Sequence, residues 1–193
     1  NLISIGGNCF TAMYSFNQPL ELPSTLTSRG GFSGCSAFNS PIKINSTSYT
    51  IQSNFMQYCQ SYNQPLDLSG ATSIGNYVFY DFQSFNSNIT FGNNLTSIGS
   101  NFMNSLKCFT KSIIIPSSLT TISTYFISDA MLPYTLTWNA SVYPTDNYSL
   151  SSGVTYPSYQ KGVKVYGTHR ADLMTALPNR TGYPQRKLID GGS

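Results

Sequence analysis

The sequence predicts a repeat solenoid in which about six coils of short parallel β-strands stack on one another, with mostly irregular return segments. Three observations predict this class: a motif that recurs every 22 to 24 residues, apolar columns that recur in phase with it, and an unusual composition. Only 9% of the residues are Asp, Glu, Lys or Arg, whereas 40% are hydrophobic, with 14 Tyr and 12 Phe. A chain this rich in apolar residues can bury a core, which argues against disorder.

The recurring motif begins at an aromatic or apolar anchor residue. An asparagine follows each of the first four anchors, and a proline precedes the strand after the first three. Asparagine suits a bend at which its side chain bonds the backbone, and proline suits the first residue of a strand, where no ladder N–H is needed. The anchors are Phe16, Phe38, Tyr62, Phe85, Phe109 and Leu132.

Strands are predicted just after each anchor, because two apolar residues flank a single intervening residue there. This alternation is typical of a half-buried strand whose middle residue points outward. No coil can bury its apolar columns alone, so stacking of the coils must complete the core. The strand pairs are Leu20/Leu22, Ile42/Ile44, Leu66/Leu68, Ile89/Phe91, Ile113/Ile115 and Leu136/Trp138, and the two further columns are Phe10, Phe32, Met56, Phe79, Met103, Phe126 and Ile5, Ile51, Ile74, Ile98, Ile122.

The period breaks in two places. The second repeat has residues 27–30 (Thr-Ser-Arg-Gly) where the other repeats carry Ile-Gly, and an irregular stretch separates Asn139 from Gln160. We therefore expect a solenoid over residues 1–138, followed by an irregular insertion and a C-terminal cap over residues 139–193.

Two strings, Leu95-Thr96-Ser97-Ile98-Gly99 and residues 115–122, resemble the BspA-like leucine-rich repeat, whose unit is near 23 residues long. The resemblance covers roughly residues 2–138, and residues 163–176 are similar to the strand and helix that close such arrays. It implies a right-handed leucine-rich-repeat solenoid. It also implies a bacterial or phage surface protein that serves adhesion and interaction.

Charge gives little indication of a partner. The net charge is +3, and the bases concentrate in residues 161–193, which carry six Lys or Arg against two Asp. These bases are scattered and no recognised nucleic-acid motif surrounds them, so no nucleic-acid partner is predicted. No apolar run reaches the roughly 18 residues of a membrane span, and none is predicted. Because the chain begins at Asn1 without a methionine, we expect a mature or excised piece.

Catalysis is not predicted, and no catalytic residue is proposed. A nucleophile needs a base within reach, and the single imidazole, His169, falls in the presumed cap. The four cysteines form no metal-binding signature, so neither a metal nor a cofactor is expected. Cys35 and Cys59 both lie three residues before an anchor and should stack on adjacent coils; they either form a disulfide or remain buried thiols, and we favour the thiols.

Two sets of residues are candidate binding sites. The outward middle residues of the strands form a continuous row that either binds a ligand or only pairs across strands: Glu21, Lys43, Asp67, Thr90, Ile114 and Thr137. Tyrosines at the end of the repeats and in the insertion are candidates because exposed tyrosine makes adaptable contacts at low entropic cost: Tyr134, Tyr143, Tyr148, Tyr156 and Tyr159.

The sequence therefore favours recognition over catalysis. The first hypothesis is an extracellular adhesin module, on a cell or virion surface, that binds a host protein or glycan. The second is a structural subunit or fibre segment of a larger particle, which docks neighbouring copies or further repeats through the ends of the solenoid.

Overall fold

The computed structural model describes residues 2–7, 9–131, 133–146, 148–151, 162–179 and 186–192, which form a parallel β-solenoid of about seven turns with almost no helix. The predicted fold class is confirmed. The elements are β1 (Leu20–Leu22), β2 (Ser28–Arg29), β3 (Ile42–Ile44), β4 (Tyr49–Ile51), β5 (Leu66–Leu68), β6 (Ala71–Ile74), β7 (Ile89–Phe91), β8 (Ser97–Ile98), β9 (Met103–Asn104), β10 (Ser112–Ile115), β11 (Thr121–Ile122), β12 (Ile127–Ser128), β13 (Thr135–Trp138), β14 (Val163–Tyr166), α1 (Arg170–Ala176) and β15 (Leu188–Asp190).

Each coil contributes to parallel stacks on different sides of the solenoid. The predicted strands pair as β1 with β3, β5 with β7, and β10 with β13, β14 and β15 in that order. A second stack of five strands runs β2, β4, β6, β8 and β11, and a third contains β9 and β12. Every pair is parallel, as expected when successive coils repeat the same path.

Past residue 138 the strand stack goes on, because β13 is in register with β14 and β14 with β15. Residues 148–151 also join the array: the backbone N–H of Phe126 donates to Ser149 Oγ, and that of Ala130 to the carbonyl of Ser151. The strand and helix predicted for the C-terminus are present as β14 and α1. The division into two regions at residue 138 stays a prediction.

The anchor residues stack their rings along the inside of the solenoid. Successive ring centres lie 5.4 to 6.4 Å apart, and the rings are mostly near-parallel. Such offset aromatic pairs add to the free energy gained from burial alone. This column contains Phe16, Phe38, Tyr62, Phe85, Phe109 and, in the sixth coil, Tyr134.

The asparagines after the anchors do bond the backbone, but across coils. Asn17 Oδ1 accepts from the N–H of Asn39 at 2.8 Å, and Asn39 Oδ1 accepts from the N–H of Asn63 at 2.8 Å. Asn63 and Asn86 continue the same ladder to Asn86 and Thr110. Each asparagine therefore supplies an acceptor to a backbone N–H that lies at a bend, outside the strands.

The second coil places Arg29 in the isoleucine column, in register with Ile51. The side chain is fully buried, and none of its three nitrogens has a hydrogen-bond partner among the described residues. Its guanidinium carbon lies 3.7 Å from the centre of the Tyr49 ring. Burial lowers the pKa of Arg29 and raises that of Tyr49 to about 12. The departure seen in residues 27–30 is thus a charged residue inside an apolar column.

The Ile-Gly turn requires glycine because the neighbouring coil leaves no space for a Cβ atom. A Cβ on Gly99 would lie 2.6 Å from the carbonyl carbon of Gly75 and 2.4 Å from Asn76 Oδ1. Real Cβ atoms do not approach other atoms so closely. Successive coils can therefore stack at this corner only because the side chain is absent.

The two buried cysteines are free thiols, as favoured from the sequence. Cys35 Sγ lies 3.2 Å from the carbonyl oxygen of Phe10, and Cys59 Sγ lies 3.2 Å from that of Phe32. Each thiol thus contacts the coil before its own, and burial raises the pKa of both. They act as small core residues rather than as a bridge between coils.

In the described part of the chain, α1 spans seven residues and no helix has the length and apolar character that a bilayer crossing requires.

Candidate recognition surface

The outward row predicted from the sequence lies together on the strand stack. Glu21 is opposite Lys43, and Asp67 is opposite Thr90. Ile114 is opposite Thr137, whose other neighbour in register is Tyr166. The first five members are exposed and Thr137 is half-buried, so the predicted orientation of the row is correct. Whether this row binds a ligand stays a prediction.

The charges at the start of this row are satisfied within the chain. Lys43 Nζ donates to Glu21 Oε1 at 3.0 Å, and the amide of Asn45 donates to the same oxygen at 2.8 Å. The hydrogen bond from Asn45, followed by the neighbouring lysine, lowers the pKa of Glu21. Asp67 instead accepts from the backbone N–H of Ser69 at 3.0 Å. The contact between Glu21 and Lys43 fits the cross-strand alternative left open by the sequence, whereas the contact of Asp67 is local.

The prediction that Tyr134 is an exposed contact residue is wrong. The residue is 4% exposed, and its ring packs against Phe109 at 5.8 Å in the place of a sixth anchor. Its hydroxyl is buried without a hydrogen-bond partner among the described residues, and burial raises its pKa. The side chain of Tyr134 points inward because the anchor column continues at this position.

Tyr143 is half-buried and connects the insertion to the cap through its side-chain contacts. Its ring stacks on Trp138 at 6.4 Å, and its hydroxyl donates to Asp172 Oδ2 at 3.1 Å. His169 Nδ1 lies 3.2 Å from the same oxygen and 3.4 Å from the tyrosine hydroxyl. In a catalytic triad the two imidazole nitrogens contact different partners. Here both contacts fall on Nδ1, so the geometry is that of a structural cluster.

Tyr148 is exposed and belongs to a larger set of tyrosines. Its ring stacks on Tyr125 with centres 4.7 Å apart. Farther along the same side, Tyr80 contacts Tyr58 at 5.7 Å and Tyr77 at 5.6 Å. The remaining two predicted tyrosines, Tyr156 and Tyr159, lie outside the described residues.

Three carboxylates accompany these five rings. We call the whole set the tyrosine face: Tyr58, Tyr77, Tyr80, Tyr125 and Tyr148 with Asp81, Asp129 and Asp146. Partial burial raises the pKa of the Tyr80 hydroxyl, and Asp81 and Asp129 raise it further. Partial desolvation likewise raises the pKa of Tyr125, with smaller contributions that include Asp146 and Asp129. Tyr58, Asp81 and Asp129 occupy the same corner in different coils, as Tyr77 and Tyr125 occupy another, so these rings and carboxylates lie along one side of the solenoid.

The solenoid corners position this face. Residues at two corners of the middle coils adopt left-handed backbone conformations, with φ of 56° at Tyr77 and Tyr125, 62° at Tyr58, 61° at Asp81 and 55° at Asp129. Side chains at equivalent corners of successive coils must project in the same direction, because the backbone path repeats. The corners therefore gather side chains that are distant in sequence.

Sequence reasoning found only Tyr148 of the five rings. The available signal was the spacing, because Tyr77, Tyr125 and Tyr148 occupy one phase of the repeat, with Asn54 and Asn101 at the same phase in other coils. Among the described residues, no three side chains of the His, Cys, Asp or Glu type are grouped so as to hold a metal ion.

Comparison with known proteins agrees with this architecture. A family model described as "BspA type Leucine rich repeat region (6 copies)" matches residues 3–132. No curated protein and no solved structure matches the chain. The match covers about two thirds of the sequence and the repeats that it identifies are the coils of the solenoid. The chain belongs to the BspA-type leucine-rich repeat family.

Proposed function

We propose that this chain is a non-enzymatic recognition module, displayed on a cell or virion surface, that binds a host protein or glycan through the tyrosine face. The family supports the general role: BspA-type repeats are common in surface-associated proteins, and such solenoids are typically non-catalytic.

The observation that carries the proposal is the exposure of large aromatic residues on one side. Tyr58, Tyr77 and Tyr148 are 44%, 39% and 37% exposed, whereas most other rings in the described part of the chain are buried. Tyrosine is enriched at recognition surfaces because it buries much area while losing few rotamers. Exposed aromatic clusters commonly mark interaction sites.

The test is binding of the labelled chain to a panel of host cell surfaces and immobilised glycans. A Tyr58→Ser/Tyr77→Ser variant removes two exposed rings, and a Glu21→Ala/Lys43→Ala/Asp67→Ala variant removes the charges of the strand row. We expect the tyrosine variant to lose binding and the strand variant to keep it. Loss in the strand variant alone would move the site to the strand row, and absence of binding to every surface would refute the proposal.

A second function, assembly into a larger particle, is favoured by the first coil. Five of its large side chains are exposed, each by 41% to 67%: Leu2, Ile3, Phe10, Met13 and Tyr14. A neighbouring copy or further repeats can stack on such an end as successive coils stack on each other. Light scattering tests this, because a defined oligomer that a Phe10→Ser/Met13→Ser variant abolishes supports assembly, and a monomer at high concentration contradicts it.

A further inference from the structure

We propose that the tyrosine face binds a cationic segment of a partner protein, one that presents lysine or arginine side chains. This inference rests on the proposed function, since it names the chemistry that the recognition surface selects.

The first support is the arrangement of the rings. The ring of Tyr80 meets that of Tyr58 at 88° and that of Tyr77 at 64°, so two neighbouring rings stand at steep angles to it. The face of an aromatic ring is electron-rich and attracts a cation within about 6 Å of its centre. Rings at steep angles can surround an ammonium or guanidinium group from more than one side, as in aromatic cages.

The second support is the charge of the surface. Asp81 accepts from the side-chain amides of Gln60 and Gln83, at 2.5 and 2.9 Å, and Asp129 accepts from that of Asn104 at 3.1 Å. In the described part of the chain neither carboxylate takes part in an ion pair.

Neighbouring bases do not cancel these two charges by direct contact. Lys107 Nζ donates to Gln83 Oε1 at 2.5 Å, and the buried Arg186 donates to the main-chain carbonyls of Asp146 and Ser149. The negative charge of Asp81 and Asp129 is therefore available to a cation that approaches the rings, and the amide contacts hold both carboxylates in position.

The third support is the backbone at these corners. Left-handed φ is costly for bulky side chains, whereas glycine and asparagine adopt it readily. Gly34, Asn54 and Asn101 occupy equivalent corners, which shows that the fold accepts residues that adopt positive φ at little cost there. Tyrosine at Tyr58, Tyr77 and Tyr125 is therefore a residue type that the backbone at these corners does not require.

A cation fits this surface better than a sugar ring. The same chain shows a guanidinium group on a tyrosine face, at Arg29 and Tyr49. Carboxylates beside the rings add Coulomb attraction that only a charged ligand exploits.

The experiment measures binding of a synthetic peptide of alternating lysine and glycine to the intact chain by calorimetry. The same peptide with every lysine acetylated is the matched neutral ligand, because acetylation removes the charge and keeps the chain. We expect the acetylated peptide to bind about tenfold more weakly or worse, and the affinity of the lysine peptide to fall at high ionic strength.

Two double variants test where the lysine peptide binds. Asp81→Asn/Asp129→Asn removes both charges while keeping side-chain shape, and should weaken binding about tenfold. Glu21→Gln/Asp67→Gln removes the same charge from the strand row and should leave the affinity unchanged. Circular dichroism checks that each variant is folded. If the Asp81→Asn/Asp129→Asn variant does not fold, the comparison of the two peptides on the unmodified chain still tests whether the ligand must be cationic.

Three results overturn the inference. These are equal binding of both peptides, equal weakening by both variants, or no peptide binding at all. If the peptide fails while glycans or cell surfaces still bind in a manner sensitive to Tyr58→Ser/Tyr77→Ser, the proposed recognition function stands and only the cationic partner is refuted. If no ligand of any kind binds, both proposals fall.

Discussion

The guanidinium carbon of Arg29 lies 3.7 Å from the centre of the Tyr49 ring, inside a column that isoleucine fills in the coils that follow. This contact replaces ordinary side-chain packing with a cation–π interaction at a fully buried position. Such an interaction contributes about 2 kcal/mol when desolvated, whereas burying an unpaired charge costs several kcal/mol. The balance at this position is therefore unfavourable.

The Arg29→Met variant is accordingly expected to be more stable than the unmodified chain, by about 1–3 kcal/mol. Methionine has a similar length and adapts to irregular space, while it carries no charge to desolvate. Urea unfolding followed by circular dichroism measures the difference. Arg29→Ala is the control for volume and should be less stable than Arg29→Met, because it leaves a cavity. A Met variant that is less stable than the unmodified chain would show that the buried guanidinium is a net stabiliser.

The asparagine ladder gives a second prediction. In the unmodified chain the N–H of Asn86 donates to Asn63 Oδ1 at 2.7 Å, and the Asn63→Ala variant lacks this acceptor. The hydroxyl of Ser87 keeps its bond to the carbonyl of residue 63 and loses the one to Asn63 Oδ1. We expect a loss of about 0.5–1.5 kcal/mol in the free energy of unfolding, which is the net contribution of one hydrogen bond at an exposed bend. Asn88→Ala, at an exposed position nearby, is the matched control and should have little effect. Equal losses in both variants would contradict a role for the ladder.

Close stacking at the Ile-Gly corner gives a third prediction. Gly99→Ala should destabilise the protein by about 1–3 kcal/mol, because its Cβ would overlap the backbone of Gly75. Gly6→Ala is the control, since nothing lies within 4 Å of a Cβ built there. Thermal unfolding compares the two. The steric argument fails if the two alanine variants have the same midpoint.

Alkaline pH is expected to weaken the fold. Burial raises the pKa of Tyr49 to about 12 and raises the pKa of Tyr62 and Tyr134 further. Above pH 10 the unfolded chain releases phenol protons that the folded chain retains, so the folded state binds more protons and its stability falls as pH rises. Stability from these groups is fully present below about pH 10 and is lost above it.

Urea midpoints between about pH 9 and about pH 12 measure this loss. Tyr62→Phe should reduce the dependence on pH, and it should keep or raise stability near neutral pH, because the hydroxyl that it removes has no partner among the described residues. A urea midpoint that stays constant across the alkaline range would contradict the prediction.

Some features could be read from the residues directly. The spacing of Phe16, Phe38 and Tyr62 and the alternating pairs after them predict parallel strands in register, because a fixed period forces equivalent residues onto the same side of every coil. The closing strand and helix followed from the resemblance to the family. For the same reason the outward orientation of Glu21 and Lys43 was predictable.

The tertiary structure alone decided which tyrosines face solvent. Tyr134 turns inward because a place beside Phe109 is available in the anchor column, while Tyr148 lies outside because it continues a corner occupied by Tyr125. The repeat thus determines which positions are equivalent. Whether an amphipathic side chain such as tyrosine is buried depends on the space that the neighbouring coil leaves, and Arg29 shows that this space can even hold a charge.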